Sequence, residues 1–302
     1  MSRAILVTGA TGRQGGSLIK HLLASPEASK LRIIALTRNS QSSAAIKLQK
    51  QGVSIIEGDL NNIPAIFENK SIKGQPLGAI FGLQSPGIRA AATVVERQQG
   101  KALIDHAVAN NVKLFIYASV DRGGTESEGT ATPVAQFSSK NDIEQHLIKN
   151  CGEMNWVILR PTTFMENLTP DIQGKTWASA YKHIMKSRPM HLISTSDIGK
   201  VAASVFSNSE KYANTAISLV GDKLTFAEAD AIFKEKTGKS IPTLSLLPFN
   251  AVMLGLKEFK IMFKWFPVDP PGIDAAKCKE EWGLMSWGEW LEKENPFIKT
   301  SR

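Results

Sequence analysis

The first residues whose spacing implies chemistry are Gly9, Gly12 and Gly15, which follow the apolar run AILVTG (4 to 9) and precede the helix-like segment SLIKHLLAS. A chain that turns from a buried strand into a helix, with no side chains in the way, can bring a pyrophosphate against backbone N–H groups at the positive end of that helix. Thr11, Arg13 and Gln14 share the loop as candidate contacts. A glycine triplet alone is weak evidence. Its place at the start of a βαβ unit, between a strand and an amphipathic helix, makes dinucleotide binding the expectation. The end of the next strand then selects the dinucleotide. An NAD site places an acidic residue about 20 residues beyond the glycines to hold the ribose 2′-hydroxyl, whereas an arginine accommodates a 2′-phosphate. The stretch LTRNS puts Arg38 in the acid's place, and Arg13 could reach the same phosphate from the other side. A planar guanidinium with several donors suits phosphate, so NADP(H) is the expected cofactor.

These residues need a sheet to position them. Short apolar runs recur at AILVTG (4 to 9), RIIALT (32 to 37), VSIIEG (53 to 58), GAIFGL (78 to 83), KLFIYAS (113 to 119) and WVILRP (156 to 161), with helix-length segments between most of them. Apolar runs without alternation fit strands buried on both faces, and their alternation with helices predicts an α/β fold with a Rossmann-type, doubly wound parallel sheet. Beyond residue 161 the rhythm breaks down. The expected division is an NADP(H)-binding domain at 1–161 and a smaller, partly interleaved α+β substrate or partner domain at 162–302, with some later segments returning to the sheet. In that second part HLISTSDIGKVAASVF reads as a strand and a helix, and TAISLVGDKLTFAEADAIFKEKTGK as a strand, a turn and a helix. Thr225 is the expected N-cap of the last helix, with Glu228 as its capping-box partner.

Composition excludes several classes. The chain has 302 residues, 42% of them hydrophobic, enough for one large core or two coupled ones. Two cysteines, Cys151 and Cys278, are too few for a disulfide framework and read as reduced thiols, which points to the cytoplasm, with the nucleus as the alternative. Met1-Ser2-Arg3 leads straight into the first apolar run, so no signal or transit peptide is expected. The most apolar stretch, FNAVMLGLKEFKIMFKWF, carries Lys257, Glu258, Lys260 and Lys264 inside a window that needs about 20 mostly apolar residues to cross a bilayer. It reads as a helix docked on the protein, and no membrane association is expected. The net charge of +8 favours anionic partners, but the lysines form no basic run, so direct nucleic-acid binding is not expected. No metal ligands are assigned.

Seven segments taken in order carry a family resemblance over nearly the whole chain: TGATGRQGGSLIKHLL, IIALTRN, GVSIIEGDLNN, QGKALIDHAVANNVKLFIYAS, LRPTTFMENL, STSDIGKVAA and AISLVGDKLTFAEADAIF. They resemble the NmrA-like family, atypical members of the short-chain dehydrogenase/reductase superfamily with an NADP(H)-binding Rossmann domain and a smaller C-terminal domain. The resemblance implies further cofactor contacts. Asp59 and Leu60 would lie beside the adenine, and Gly82, Leu83 and Gln84 would line the cofactor's middle. Phe164 to Asn167 would flank the nicotinamide end, with Lys140 near the nicotinamide ribose. Two of these have plainer readings, since Asp59 can cap a turn and Asn167 can satisfy loop backbone.

The superfamily's usual enzymes carry Tyr-x-x-x-Lys, whose spacing puts both side chains on one helix face, with the lysine binding ribose and lowering the tyrosine's pKa. Here the stretch is QFSSK: Lys140 is present and Gln136, which has no titratable proton, stands where the tyrosine would be. Thr132-Pro133 could open this helix, or Ser139 with Asp142 could cap a later start that leaves Gln136 outside it. The chain has only Tyr117, Tyr181 and Tyr212 as substitutes; Tyr117 faces the same side of the fifth strand as Ser119, the position of the superfamily's substrate-orienting serine or a plain strand-end hydroxyl. Two functions remain open. One is an NADPH-dependent reductase, with Lys140 assisting, acting on small apolar or aromatic acceptors such as quinones, quinone methides or conjugated cations, which take hydride readily. The other is a redox sensor in which NADPH and NADP⁺ favour different conformations that a regulatory protein partner reads. Val252, Leu256, Phe259, Phe263 and Phe266 recur at helical spacing and read as core, as the roof of an apolar substrate chamber, or as a partner surface. In the tail WGLMSWGEWLEKENPF, Trp287 and Trp290 are expected to anchor a final helix. Monomer and homodimer both remain open.

Overall fold

The computed structural model describes residues 4–84, 90–128, 131–267, 270–294 and 297. Strands β1 (Ala4–Val7), β2 (Arg32–Thr37), β3 (Ser54–Glu57), β4 (Ala79–Gly82), β5 (Leu114–Ala118) and β6 (Asn155–Pro161) alternate with helices α1 (Arg13–Leu23), α2 (Ser43–Lys50), α3 (Ile63–Phe67), α4 (Ala90–Ala109) and α5 (Ala135–Asn150). There follow β7 (Thr163–Phe164), α6 (Ile172–Ala180), β8 (Met190–Ile193), α7 (Thr195–Ser207), β9 (Thr215–Leu219), β10 (Asp222–Leu224), α8 (Phe226–Thr237), α9 (Leu246–Gly255), α10 (Lys257–Trp265), α11 (Ala275–Trp282) and α12 (Trp287–Glu294).

The main sheet has seven strands in the order β3-β2-β1-β4-β5-β6-β9, and every neighbouring pair from β3 through β6 runs parallel. This is the doubly wound α/β architecture. The order reverses beside β1, where the crossovers on its two sides wind away from each other and leave a crevice at the strands' carboxyl ends. Register aligns those ends: Val7 lies opposite both Ala35 and Phe81, and Gly82 opposite Tyr117. Strand residues of alternate parity line one face. On one of them Leu6, Ile34, Ile80, Phe115 and Ile158 are buried with Leu103 and Ile104 of α4 and Ile143 and Leu147 of α5. Those helices come so close that a Cβ on Gly100 would stand 2.5 Å from Ile143 Cδ1.

The chain forms two compact units that interleave along the sequence. The first comprises Met1–Val120, Gln136–Arg160 and Ile198–Ile217, and the second Asp121–Ala135, Pro161–Asp197 and Ser218–Arg302.

In the second unit β10, β8 and β7 form a small mixed sheet. Thr225 caps α8 in a complete capping box with Glu228, whose carboxyl the Thr225 N–H holds below its ordinary range. Trp287 and Trp290 stack with centroids 5.1 Å apart, and Trp287 Nε1 donates to the Ala229 carbonyl at 3.0 Å, fastening α12 to α8. Asn295 and Pro296 of that tail lie outside the described residues. The apolar stretch expected as one helix is two. Leu256, at φ −114° and ψ 54°, leaves the helical region between α9 and α10. The stripe is broken with it: Met262 and Phe263 are buried, whereas Val252 is 36% exposed. Trp177 of α6 packs edge-on against Phe259 and Phe263, at 5.3 and 4.9 Å. Among the described residues no helix is long and apolar enough to cross a membrane, and no group of side chains could hold a metal ion.

Candidate functional site

The glycine loop folds tightly onto itself between β1 and α1. Gly9 has φ +61°, a left-handed conformation that glycine adopts at no steric cost, and a Cβ there would lie 2.8 Å from Leu83 Cδ2. Gly15 lies against the loop's own backbone: a Cβ on it would stand 2.4 Å from the Gly9 carbonyl oxygen. Gly12 is the N-cap of α1; it brings no side-chain acceptor, and the first turn holds no carboxylate. The positive end of α1 is therefore uncompensated by its own side chains, the arrangement that receives an anion. Thr11, Gly12 and Arg13 are exposed and Gln14 and Gly15 buried.

Thr8, which sequence reasoning missed, ties this loop to the end of β4. Its Oγ1 lies 3.1 and 2.8 Å from the carbonyls of Phe81 and Leu83 and accepts the Leu83 N–H at 2.6 Å. Gly82 is buried, with room for a Cβ taken by the Phe115 ring at 2.6 Å. Gln84 follows, fully buried, and neither atom of its amide has a hydrogen-bond partner among the described residues; the same holds for Gln14 Oε1. Burying an unsatisfied amide is costly. The Gln84 amide and the Gln14 oxygen, beside an uncapped helix end, fit a site completed by a polar ligand: Gln84 Nε2 needs an acceptor such as a phosphate oxygen, and the two amide oxygens need donors such as hydroxyl or carboxamide N–H groups.

Arg38 is exposed just beyond β2. The loop that carries it is fixed by Ser40, whose N–H and hydroxyl donate to Glu57 Oε2 at 2.9 and 2.5 Å and hold that carboxyl below its ordinary range. Asp59 is exposed and accepts the Asn61 N–H at 2.8 Å, so its side chain does cap a turn. Leu60 packs half-buried against the core. Phe164 and Asn167 belong to the second unit, where both are half-buried. Phe164 ends β7 opposite Ile193, and Asn167 closes the short turn Met165–Asn167. Glu166 anchors that turn by accepting the Thr195 N–H and hydroxyl at 2.9 and 2.7 Å.

Helix α5 starts at Ala135, so Gln136 and Lys140 lie on one helical face four residues apart. Ser139 is inside the helix and caps nothing, and Asp142 pairs with Arg97 at 2.5 Å instead of closing a capping box. The physical reason is α4. Its Glu96 and Arg97 engage α5 directly: Ser139 Oγ donates to Glu96 Oε2 at 2.5 Å, Lys140 Nζ to Glu96 Oε1 at 2.9 Å, and Arg97 to Ser138 Oγ at 3.3 Å. Lys140 Nζ also lies 3.5 Å from the Ala118 carbonyl at the end of β5 and 5.6 Å from the Tyr117 ring centroid. The ammonium is thus buried at the carboxyl edge of β5, next to the strand that leads into Gln84.

Ser119 donates to Glu144 Oε1, and Arg160 binds the same carboxylate through Nε and Nη2 at 3.3 and 2.7 Å. Its hydroxyl is engaged in a buried ion pair. Of the tyrosines, Tyr117 lies fully within the core and Tyr181 donates to the Leu224 carbonyl at 2.5 Å, with burial pushing its phenol well above the ordinary range. Glu96, Glu144 and Arg160 also escaped sequence reasoning. The available signal was a charged residue on an apolar helical face, Glu96 one turn before Gly100 and two before Leu103 and Ile104.

A model of the NmrA-like family matches residues 1–290. Among curated proteins, the NmrA-like family domain-containing oxidoreductase FrzB of a Cladobotryum species is 26% identical over 91% of this chain and 90% of its own. Two solved structures share the fold. The triphenylmethane reductase of a Citrobacter species, complexed with NADP(H), superimposes with a TM-score of 0.73 at 21% identity, covering 96% of this chain and 99% of that one. NmrA, a negative transcriptional regulator in complex with NADP, gives 0.67 at 18%, covering 98% and 96%.

Proposed function

Because the chain belongs to the NmrA-like family, we propose that it is an NADPH-dependent reductase that passes hydride to a conjugated, apolar acceptor of the quinone or triarylmethane-cation type. The observation that carries this reading is the cradle at the β1/β4 crevice, where an uncapped helix end faces the same edge as the buried, unsatisfied amide of Gln84. When bound, the dinucleotide would supply the hydride. Arg38, with Arg13, would hold the 2′-phosphate, and the backbone of Gly9 to Gly15 the pyrophosphate. Leu83 and Gln84 would line the middle of the cofactor, Asp59 and Leu60 its adenine, and Phe164 and Asn167 its nicotinamide end. Lys140 would hold the nicotinamide ribose. Gln136 has no proton to give, which favours acceptors whose reduction asks little proton donation of the protein.

Purified chain mixed with NADPH and a panel of quinones and triarylmethane dyes should lose NADPH absorbance, and Lys140→Ala should slow that loss. The second reading, a sensor of the NADPH/NADP⁺ ratio acting on a regulatory protein in the cytoplasm or nucleus, is favoured by one observation, Gln136 on the helical face where a catalytic phenol would stand. No turnover with any acceptor, together with protease sensitivity that differs between the NADPH and NADP⁺ complexes, would replace the reductase with the sensor.

A further inference from the structure

We infer that Glu96 is a positioning residue of this site, whose carboxylate fixes the Lys140 ammonium so that one N–H is kept for the nicotinamide ribose. The inference rests on the reading that the site takes NADPH. Glu96 is 1% exposed and Lys140 7%, so neither meets bulk water. Each carboxylate oxygen has its own donor, Oε1 the ammonium at 2.9 Å and Oε2 the Ser139 hydroxyl at 2.5 Å, which fixes the carboxylate's plane as well as its place. The Gln136 carbonyl, 3.0 Å from Ser139 Oγ, is the other acceptor within reach of that hydroxyl proton, and the shorter contact to Glu96 is the one that the geometry favours. Of the three N–H groups on Lys140, one goes to Glu96 and one lies toward the Ala118 carbonyl at 3.5 Å; the third has no hydrogen-bond acceptor among the described residues, although the ammonium lies 5.6 Å from the Tyr117 ring centroid. A flexible four-carbon stem would otherwise lose much rotamer freedom each time the ammonium was aligned. Pinning by an anion removes that cost from the binding step. The pin needs close helices, and the contact of Gly100 with Ile143 one turn further along α4 supplies that approach.

A purely structural ion pair would leave the same hydrogen bonds, so the test must separate fold from aim. Adenosine 2′,5′-bisphosphate carries the 2′-phosphate end of NADPH and lacks the nicotinamide ribose. Titration calorimetry of both ligands on the wild-type chain and on Glu96→Gln is therefore the experiment. The variant amide cannot accept at both positions. NADPH affinity should fall about 10- to 100-fold, the loss that removing the residue behind a metal ligand produces at metal sites, while affinity for the bisphosphate stays within about twofold, inside the scatter of neutral substitutions. Glu96→Asp, which keeps the charge, should show a smaller loss on NADPH alone and serves if the glutamine variant does not fold. Unchanged NADPH binding, or equal losses on both ligands, would overturn the role of Glu96 and leave NADPH binding standing. A wild-type chain that takes up neither ligand would overturn both.

Discussion

Alanine placed at two adjacent glycines of the first helix should have effects of opposite sign. At Gly16, a Cβ would meet nothing closer than the Ala10 carbonyl at 3.4 Å, ordinary contact. Replacing a helical glycine there should stabilise by about 0.5–1 kcal/mol, because the unfolded chain loses freedom it need not surrender on folding. At Gly15, the Cβ would stand 2.4 Å from the Gly9 oxygen, 2.8 Å from its carbonyl carbon and 3.0 Å from Ala10 Cα. All three are backbone atoms of a loop held on one side by Leu83, so no rotamer change relieves them. Overpacking of this kind costs about 1–3 kcal/mol, against which the same helical gain of about 0.5–1 kcal/mol is set. With about 2–4 °C per kcal/mol for a chain approaching this size, Gly16→Ala should raise the calorimetric Tm by roughly 1–4 °C and Gly15→Ala should lower it by several degrees. Gly15→Ala should also abolish the rise in Tm that NADPH produces, since the displaced loop no longer presents its N–H groups together. Equal shifts for the two variants, or an unimpaired response to NADPH in Gly15→Ala, would refute the close-approach reasoning.

Arg160→Met takes from the buried Glu144 carboxylate the guanidinium it pairs with at 2.7 Å and should cost about 3–5 kcal/mol in urea denaturation, whereas adding Glu144→Gln should recover most of it, because a neutral pair carries no buried charge. Glu289 gives a pH dependence: the Ser286 N–H, and then Lys279, hold its carboxyl down at about 2 from an ordinary 4.5. A depressed carboxylate stabilises above its unfolded pKa and loses that contribution as pH falls through the folded one. Glu289→Gln should therefore be less stable than wild type near neutral pH, by about 0.5–1 kcal/mol given its 38% exposed side chain, and the gap should close between about pH 4.5 and 2. A gap that persists at the acid end would contradict the assignment.

Most of the fold was legible because its strands are buried on both faces. Six apolar runs mark β1 to β6 within a residue or two at each end, and the glycine loop is local in sequence, so its context could be read directly. The capping box at Thr225 is local too, and so is the stacking of Trp287 on Trp290. What stayed hidden depends on partners far away. The start of α5 was ambiguous between Thr132-Pro133 and Ser139 because both carry capping chemistry. Only α4, supplying Glu96 from 44 residues before Lys140, decides what Ser139 and Asp142 do. The role of Ser119 likewise turns on Glu144 and Arg160, which no spacing rule joins. The break at Leu256 follows a continuous apolar period, so periodicity alone could not reveal it.

The central claim is that an arginine at the end of β2 receives a 2′-phosphate where a carboxylate would receive a hydroxyl. Titration calorimetry of the purified chain with NADPH and with NADH tests it most directly. Charge-assisted hydrogen bonds of about 1.5–3 kcal/mol predict NADPH to bind roughly 10- to 100-fold more tightly. Equal affinities, or no heat with either dinucleotide, would contradict it.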